Sequence, residues 1–244
     1  MENDVLTVEI PNEDRYSRLR EISWWDHEKI RRLKILVVGA GALGNEILKN
    51  LALLGVGEII VVDLDRIESS NLSRSILFRP EDEGSSKAHV AAKKVIEINS
   101  DVKILGLHAN IMTDIGLGVF RWADFIIGGL DNREARLHIN RACWKVNKPY
   151  IDGAIEALNG FARVFMPTDG PCYECTMNEA DWKLIDKRKS CALLSRAEMA
   201  TGKIPTTPTS SSVIAAIEVQ EMLKILHSSN DLPNLSGKCF VFNG

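Results

Sequence analysis

The sequence predicts an α/β fold: a doubly wound, Rossmann-like mixed sheet with helices on both faces and one long inserted crossover loop. Three observations carry that expectation. Short runs of branched apolar residues alternate with amphipathic helical stretches from Leu33 to Phe165, the rhythm of βαβ units around a parallel sheet. A glycine-rich turn, Gly39-Ala40-Gly41-Ala42-Leu43-Gly44, stands at the first strand-to-helix junction. Two carboxylates, Asp63 and Asp65, close the second apolar run about 20 residues further on, where a nucleotide-binding unit places its ribose acceptor.

The elements follow in order. The first dozen residues are polar, and Glu13 to Arg32 reads as one or two short helices with Trp24 and Trp25 as packing anchors. Leu33 to Val38 is a buried strand. Asn45 to Leu54 puts Ile47, Leu48, Leu51 and Leu54 on one helical face, Gly55 ends it, and Glu58 to Val62 is the next strand. Lys87 to Asn99 reads as helix, Val102 to Leu107 as strand, Asp124 to Gly128 as strand and Arg133 to Val146 as helix. Pro149 to Asp152 and Phe161 to Phe165 read as strands, Ser211 to Leu226 as a final apolar helix and Lys238 to Phe242 as a last strand. Composition shifts at Met166: proline, glycine, cysteine and charge dominate Pro167 to Pro208, which reads as a long functional loop with some helix, and such insertions usually bind or move. The expected organisation is an N-terminal helical segment over 1–32 and one nucleotide-binding domain over 33–244, with a cysteine-containing crossover region over 167–210.

Composition removes several classes of function. With 244 residues, 45% apolar and 26% charged, the chain has ample material for a core and is not a disordered protein. Thirty Lys and Arg against 33 Asp and Glu leave a net charge of −3 and no basic stripe, which argues against nucleic-acid binding by bulk charge. The longest apolar stretch, Leu51 to Val62, is broken by Gly55, Gly57 and Glu58, so no membrane span is expected, and the acidic start Met1-Glu2-Asn3-Asp4 is no signal peptide. Five cysteines at uneven spacing do not form a disulfide framework, and a reducing cytoplasm is the expected compartment.

The chemistry lies in the loops. Gly39 permits the tight turn, Gly41 lets backbone approach a ligand and Gly44 lets helix pack on strand, while the helix start offers free N–H groups to an anion. The pattern alone does not separate NAD from ATP. Glu68-Ser69-Ser70-Asn71-Leu72-Ser73-Arg74, Lys87 and Asp131-Asn132-Arg133 all follow strand ends, at the edge where such sheets bind ligands. Arg74 and Lys87 would clamp phosphate oxygens and offset charge on a leaving pyrophosphate. Asp131 would hold Mg²⁺ through one carboxylate. Hydride transfer needs no such set, so a nicotinamide oxidoreductase leaves Arg74, Lys87 and Asp131 unexplained.

With these segments the sequence resembles the superfamily of ubiquitin-like-protein activating enzymes and the sulfur-carrier adenylyltransferases of molybdopterin and thiamine synthesis. The likeness runs from Arg15-Tyr16-Ser17-Arg18 to Lys238-Cys239-Phe240. It rests on Gly39 to Gly44, Val62-Asp63-Leu64-Asp65, Ser70 to Arg74, Lys87, Leu130-Asp131-Asn132, Pro171-Cys172-Tyr173-Glu174-Cys175 and the helix Val213 to Leu226. The resemblance implies a nucleotide site built from Gly39, Gly41, Ala42, Gly44, Asp63, Asp65, Asn71, Arg74, Lys87, Asp131 and Asn132, with Asp63 on ribose, Asn71, Arg74 and Lys87 on phosphates and Asp131 on Mg²⁺. Many relatives have glycine where this chain has Ala42. Arg18 resembles an arginine that reaches into the partner subunit's ATP site, which implies a homodimer. The reaction implied is attack of the C-terminal glycine carboxylate of a β-grasp protein on the α-phosphate of ATP, with positioning and electrostatics supplying the catalysis.

The cysteines divide. Cys143 lies on an apolar helix and Cys239 in a strand, both structural in reading. Cys172 and Cys175 have the spacing of half a tetrahedral zinc site. The family completes that site with a second C-x-x-C after the last strand, which this chain does not show before Gly244. Cys191 follows Asp186-Lys187-Arg188-Lys189-Ser190, whose three basic residues favour a thiolate. In activating enzymes a cysteine shortly before a segment like Pro205-Thr206-Thr207-Pro208 accepts the acyl group as a thioester, and the resemblance gives Cys191 that role, with transfer to a conjugating enzyme next. The alternative is a sulfur-carrier adenylyltransferase without an obligatory enzyme thioester. A tRNA-modifying dehydratase would want a basic surface that this composition lacks, and an inactive scaffold subunit would not keep every ATP position filled.

Overall fold

A computed structural model describes residues 13–190, 205–228 and 232–244. Seven strands form one mixed sheet in the order β3-β2-β1-β4-β5-β6-β7. They are β1 (Lys34–Val38), β2 (Glu58–Asp63), β3 (Lys103–His108), β4 (Phe125–Gly128), β5 (Tyr150–Glu156), β6 (Asn159–Phe165) and β7 (Cys239–Phe242). β1 to β5 run parallel to one another, while β6 is antiparallel to both β5 and β7. The chain leaves β1 towards β2 on one side and returns to β4 on the other, so β1 marks the point where the winding reverses. In open sheets of this kind, ligands bind outside the carboxyl ends of the strands at such a reversal.

The helices are α1 (Ser17–Arg20), α2 (His27–Arg32), α3 (Ala42–Leu54), α4 (Lys87–Ile98), α5 (Leu117–Trp122), α6 (Arg133–Val146), α7 (Glu179–Ser190) and α8 (Pro208–His227). Period-two alternation on the central strands sorts them onto two faces. Ile35, Val37, Ile59, Val61, Phe125 and Ile127 pack with Ile47 and Leu51 of α3, Ala91 of α4 and Ile214 of α8. Leu36, Val38, Val62 and Ile126 pack on the other face with Phe120 of α5, Ile139 and Cys143 of α6 and Ile185 of α7. Cys143 is thus a core residue, and burial pushes its thiol far up. No helix among the described residues is long and apolar enough to cross a membrane.

Several elements differ from the expectation. β5 continues to Glu156 and β6 starts at Asn159, so the two form a hairpin about Ala157 and Leu158 rather than two short separate strands. Gly153 and Gly160 inside it are sites of close approach: a Cβ at Gly160 would stand 2.5 Å from Ile214 of α8. α5 was not expected, and the helix expected somewhere within the cysteine-containing region lies at Glu179–Ser190. The last helix begins at Pro208, capped by Thr207, whose side chain accepts from Ser210 N. The chain entering α8 is pinned to the hairpin, since Ala157 N donates to Pro205 O at 2.7 Å and Ser210 Oγ donates to Ala157 O at 3.0 Å.

The N-terminal helices are sewn to the far end of the molecule. Trp25 stacks on His227 of α8 and Trp24 meets the same ring edge-on; His227 Nε2 accepts from Asp26 N at 3.1 Å while Nδ1 lies 2.9 Å from Leu223 O. That pairing places the ring proton on Nδ1. Tyr16 Oη donates to Asp101 at 2.9 Å and accepts from Asn99 at 2.8 Å, holding α1 against the turn between α4 and β3.

Candidate active site

The first junction at the carboxyl edge is shaped by contact between two backbones. Gly39 has φ of +96°, and its N–H donates to Val62 O at 2.8 Å while Gly129 N donates to Val38 O at 2.8 Å. A Cβ on Gly39 would meet Gly129 O at 2.5 Å, and one on Gly44 would meet Gly39 O at 2.0 Å. Glycine at both positions is what lets β1, α3 and β4 converge. Gly41 differs, since a Cβ there would meet nothing within 4 Å. It faces open space at the start of α3. α4, α6 and α8 are capped by the side chains of Ser86, Asn132 and Thr207, but Gly41 gives α3 no side-chain cap. The first-turn N–H groups of α3 therefore remain available, with the positive end of the helix dipole behind them.

Asp63 closes β2 beside this turn. Its Oδ2 accepts from Ala40 N and its Oδ1 from Asp65 N, both at 2.7 Å. Burial raises its pKa, and Lys87 and the two amides oppose that shift. Each oxygen keeps a second lone-pair site, so the carboxylate can still accept from a hydroxyl. Asp65 pairs with Lys87 Nζ at 2.8 Å, and Lys87 is nearly buried at the head of α4. Asn71 has its Oδ1 occupied by Glu68 N at 3.0 Å and acts within its own turn. Arg74, half-buried, is steered by one bond from Nη1 to Ser70 O at 2.7 Å. Asp131 is exposed directly after the Gly128-Gly129 end of β4 and makes no hydrogen bond or ion pair among the described residues. Asn132 is the N-cap of α6, its Oδ1 accepting from Glu134 N at 2.9 Å.

The structure thus brings Gly39, Gly41, Ala42, Gly44, Asp63, Asp65, Lys87, Asp131 and Asn132 to one edge of the sheet. The loop bearing Arg74 is tied to it by Asn45, which sequence reading passed over. Buried in the first turn of α3, Asn45 donates to Ala40 O (2.7 Å) and Gly41 O (3.0 Å) and accepts from Leu77 N at 2.9 Å. Its only signal was an amide among apolar helix positions. Arg18 is elsewhere. It is exposed on α1, paired with Glu13 at 3.2 Å and Glu21 at 3.0 Å, and α1 packs at the amino edge, a strand length of roughly 17–20 Å from the crevice. It cannot serve the crevice of its own chain. Cys191 lies outside the described residues.

Cys172 and Cys175 stand with Sγ atoms 3.7 Å apart at the surface. Burial would raise the Cys172 thiol, but hydrogen bonds from the Cys175 and Glu174 backbone, Asn140 and the Cys175 thiol outweigh it and hold it below its ordinary value. Among the described residues no third His, Cys, Asp or Glu joins the pair in a metal-holding group. A lone pair of thiols is half of a structural zinc set. The donors at the crevice suit magnesium better, since one free carboxylate beside phosphate ligands is how Mg²⁺ is commonly held.

Beneath the β4–α6 loop lies a buried polar cluster, also unseen in the sequence. Arg136 and the carboxyls of Asp152 and Glu218 are all buried, with one cation facing two acids. Arg136 Nε lies 3.3 Å from Asp152 Oδ1, which accepts from Tyr150 Oη at 2.8 Å. Glu218 makes no well-formed hydrogen bond, and burial with the nearby Asp152 charge drives its pKa far up. The folded protein therefore holds a proton on Glu218 that the unfolded chain releases above the ordinary glutamate value of 4.5. Stability should fall as pH rises from that value towards the folded pKa, by up to about 1.4 kcal/mol per pH unit. Glu218→Gln keeps the shape and removes the titration. Urea denaturation should show the variant gaining at least ~1 kcal/mol on wild type between pH 5 and pH 8. A difference independent of pH would mean that Glu218 titrates normally.

The fold and edge geometry describe a class: an α/β protein whose nucleotide-type cradle sits at the reversal of strand order. The chain matches the ThiF family over residues 14–244 and belongs to it. It is 38% identical over 164 residues to SUMO-activating enzyme subunit 2 of Dictyostelium discoideum, covering 66% of this chain and 25% of that one. It is 36% identical over 170 residues to a sulfur carrier protein adenylyltransferase of Thermus thermophilus, covering 66% of this chain and 63% of that one. Ubiquitin-like modifier-activating enzyme 5 of Dictyostelium discoideum is 28% identical over 250 residues, 95% of this chain and 64% of its own. The chain thus spans between a quarter and under two-thirds of these relatives. Among solved structures, Escherichia coli MccB with ATP superposes with a TM-score of 0.72 at 23% identity, covering 96% of this chain and 72% of that one, a likeness of fold.

Proposed function

We propose that this chain adenylates the C-terminal glycine of a ubiquitin-like β-grasp protein with Mg²⁺-ATP, then takes the acyl group as a thioester on Cys191. The observation that carries the reading is the convergence at one sheet edge of an uncapped helix start, a carboxylate with spare acceptor sites (Asp63), the Lys87 ammonium and a free carboxylate (Asp131). Asp63 would hold ribose, and the α3 N–H groups, Lys87 and Arg74 the phosphates. Mg²⁺ on Asp131 would offset phosphate charge. The glycine carboxylate attacks the α-phosphorus, the bond to the β-phosphate oxygen breaks, and pyrophosphate leaves with its charge spread over Arg74 and Lys87. In the second step the Cys191 thiolate attacks the acyl carbon and AMP departs. Residues 33–244 form the adenylation unit in this reading, with 1–32 as an N-terminal segment that delivers Arg18 to the crevice of a second copy. A conjugating enzyme would receive the acyl group, in the cytoplasm.

The second reading, a sulfur-carrier adenylyltransferase, is favoured by the Thermus relative. One experiment separates them. The chain is incubated with Mg²⁺-ATP and a glycine-ended β-grasp protein and run on a non-reducing gel beside Cys191→Ala. A thiol-sensitive adduct lost in the variant, with pyrophosphate release retained, is the expected result. Pyrophosphate release without an adduct would move the chain to the sulfur-carrier branch. Neither signal with any such partner would remove both readings.

A further inference from the structure

We propose that Arg136 is a positioning residue of the nucleotide site, a side-chain splice that holds Asp131 in place where the sheet splits. The inference rests on the reading of Asp131 as the cation-holding carboxylate. β4 ends at Gly128, opposite Asp152, whereas β5 runs on to Glu156, so the ladder between them stops at this pair. Beyond it the two chains diverge, β5 towards its hairpin and the other chain into Leu130-Asp131, and their carbonyls have lost the strand that would have paired them.

The Arg136 guanidinium fills that gap. Its Nη2 donates to Leu130 O and, at 2.8 Å, to Gly153 O, so one planar group ties the residue before Asp131 to the residue after Asp152. Arg136 itself is fixed from below. It sits in the first turn of α6, with its N–H on Asn132 O at 3.1 Å, and its guanidinium lies against buried Asp152 and 5.9 Å from the Phe161 ring. Glu218 of α8 presses on the same point: a Cβ at Gly153 would stand 2.6 Å from its carboxyl carbon. A buried cation set against two buried carboxyls costs more than an apolar plug would. The two N–H bonds of Nη2 reach the two carbonyls while Nε, across the same plane, faces Asp152, a planar spread that a lysine ammonium lacks.

Asp131 gains no support from its own contacts, being exposed and unpartnered among the described residues. The direction of its carboxylate is inherited from the Leu130 peptide on one side and the Asn132 cap on the other. Arg136 acts on the first and, through the α6 turn, on the second. It never touches the nucleotide, so its loss should weaken the cation more than it weakens ATP.

The test uses Arg136→Lys, which keeps the charge and loses the planar group that spans Asp152 and the two carbonyls, and Asp152→Asn, which keeps the volume and frees the guanidinium. Mn²⁺ binding in the presence of saturating ATP is read by electron paramagnetic resonance, and metal-free ATP binding by equilibrium dialysis. Amide exchange of the 129–132 segment is followed in the protein without ligand. For Arg136→Lys the expected result is a Mn²⁺ affinity lowered about tenfold or more, as for lost outer-shell support. ATP binding without metal should change less than twofold, and the 129–132 amides should exchange faster. Asp152→Asn should move all three in the same direction by less, and it decides the matter if Arg136→Lys does not fold. A folded variant with wild-type Mn²⁺ affinity overturns the positioning role alone. Wild type that binds ATP but no Mn²⁺ overturns the role of Asp131, and this inference with it.

Discussion

Asp131→Ala is expected to abolish partner-dependent ATP–pyrophosphate exchange, with a loss on the order of 10²–10³-fold, the scale of removing one preorganised charge from an electrostatic site. Arg74→Ala should do the same. The two are informative because neither side chain has much to do in holding the fold. Asp131 is exposed with no bond among the described residues, and Arg74 makes one hydrogen bond to Ser70 O. Their melting behaviour should stay within about ±0.5 kcal/mol of wild type, so a lost reaction reports chemistry and not unfolding. Lys87 would be a poorer probe. It is nearly buried and paired with Asp65, so its removal strands a carboxylate and perturbs the head of α4 at the same time. Normal exchange in either Asp131→Ala or Arg74→Ala would end the assignment of this edge as the reaction site.

The parts of the fold that were legible in the sequence are those where one local signal suffices. β1, β2 and β4 are continuous branched apolar runs because both faces are covered by helices, and α3 and α6 show a clean apolar stripe. α5 escaped because six residues containing Gly118 hold too few periodic positions to be seen. The β5–β6 hairpin outruns the apolar runs Pro149 to Asp152 and Phe161 to Phe165 because it continues through Gly153 and Gly160, which carry no apolar signal. In the structure they are where α8 presses Glu218 and Ile214 onto the sheet. For the site, the glycine turn, Asp63 and Asp131 announced themselves by standing directly after strands. Asn45, Arg136, Asp152 and Glu218 did not. Each reads locally as an ordinary helix or strand residue, and each acquires its role from a partner 16 or more residues away. Asn71 and Asn132, which read as ligands in the sequence, spend their side-chain oxygen on a local cap and keep their amide N–H groups as donors.

Gly44→Ala and Gly41→Ala, compared side by side, should separate what the glycine turn does for folding from what it does for a ligand. At position 44 the new methyl carbon would lie 2.0 Å from Gly39 O and 2.7 Å from Gly39 C, atoms of a backbone that is itself wedged against Gly129. Nothing there is the free end of a side chain. Relief requires α3 to slide off β1, and the expected cost is about 3 kcal/mol or more, the upper range for overpacked sites. At position 41 the methyl meets nothing within 4 Å, and φ of −75° suits alanine. The only penalty is alanine in place of glycine at a helix start, within ~1 kcal/mol. Urea denaturation should therefore show one badly destabilised variant and one near wild type. The space that spares Gly41→Ala is the space in which a phosphate would approach the α3 N–H groups. Gly41→Ala should accordingly fold normally yet bind ATP at least about tenfold more weakly, since a lost close approach of backbone to phosphate costs around 1.4 kcal/mol or more. Wild-type ATP affinity in Gly41→Ala would mean that the turn is a packing device and that the nucleotide lies elsewhere. Wild-type stability in Gly44→Ala would mean that the convergence of β1, α3 and β4 is looser than its geometry shows.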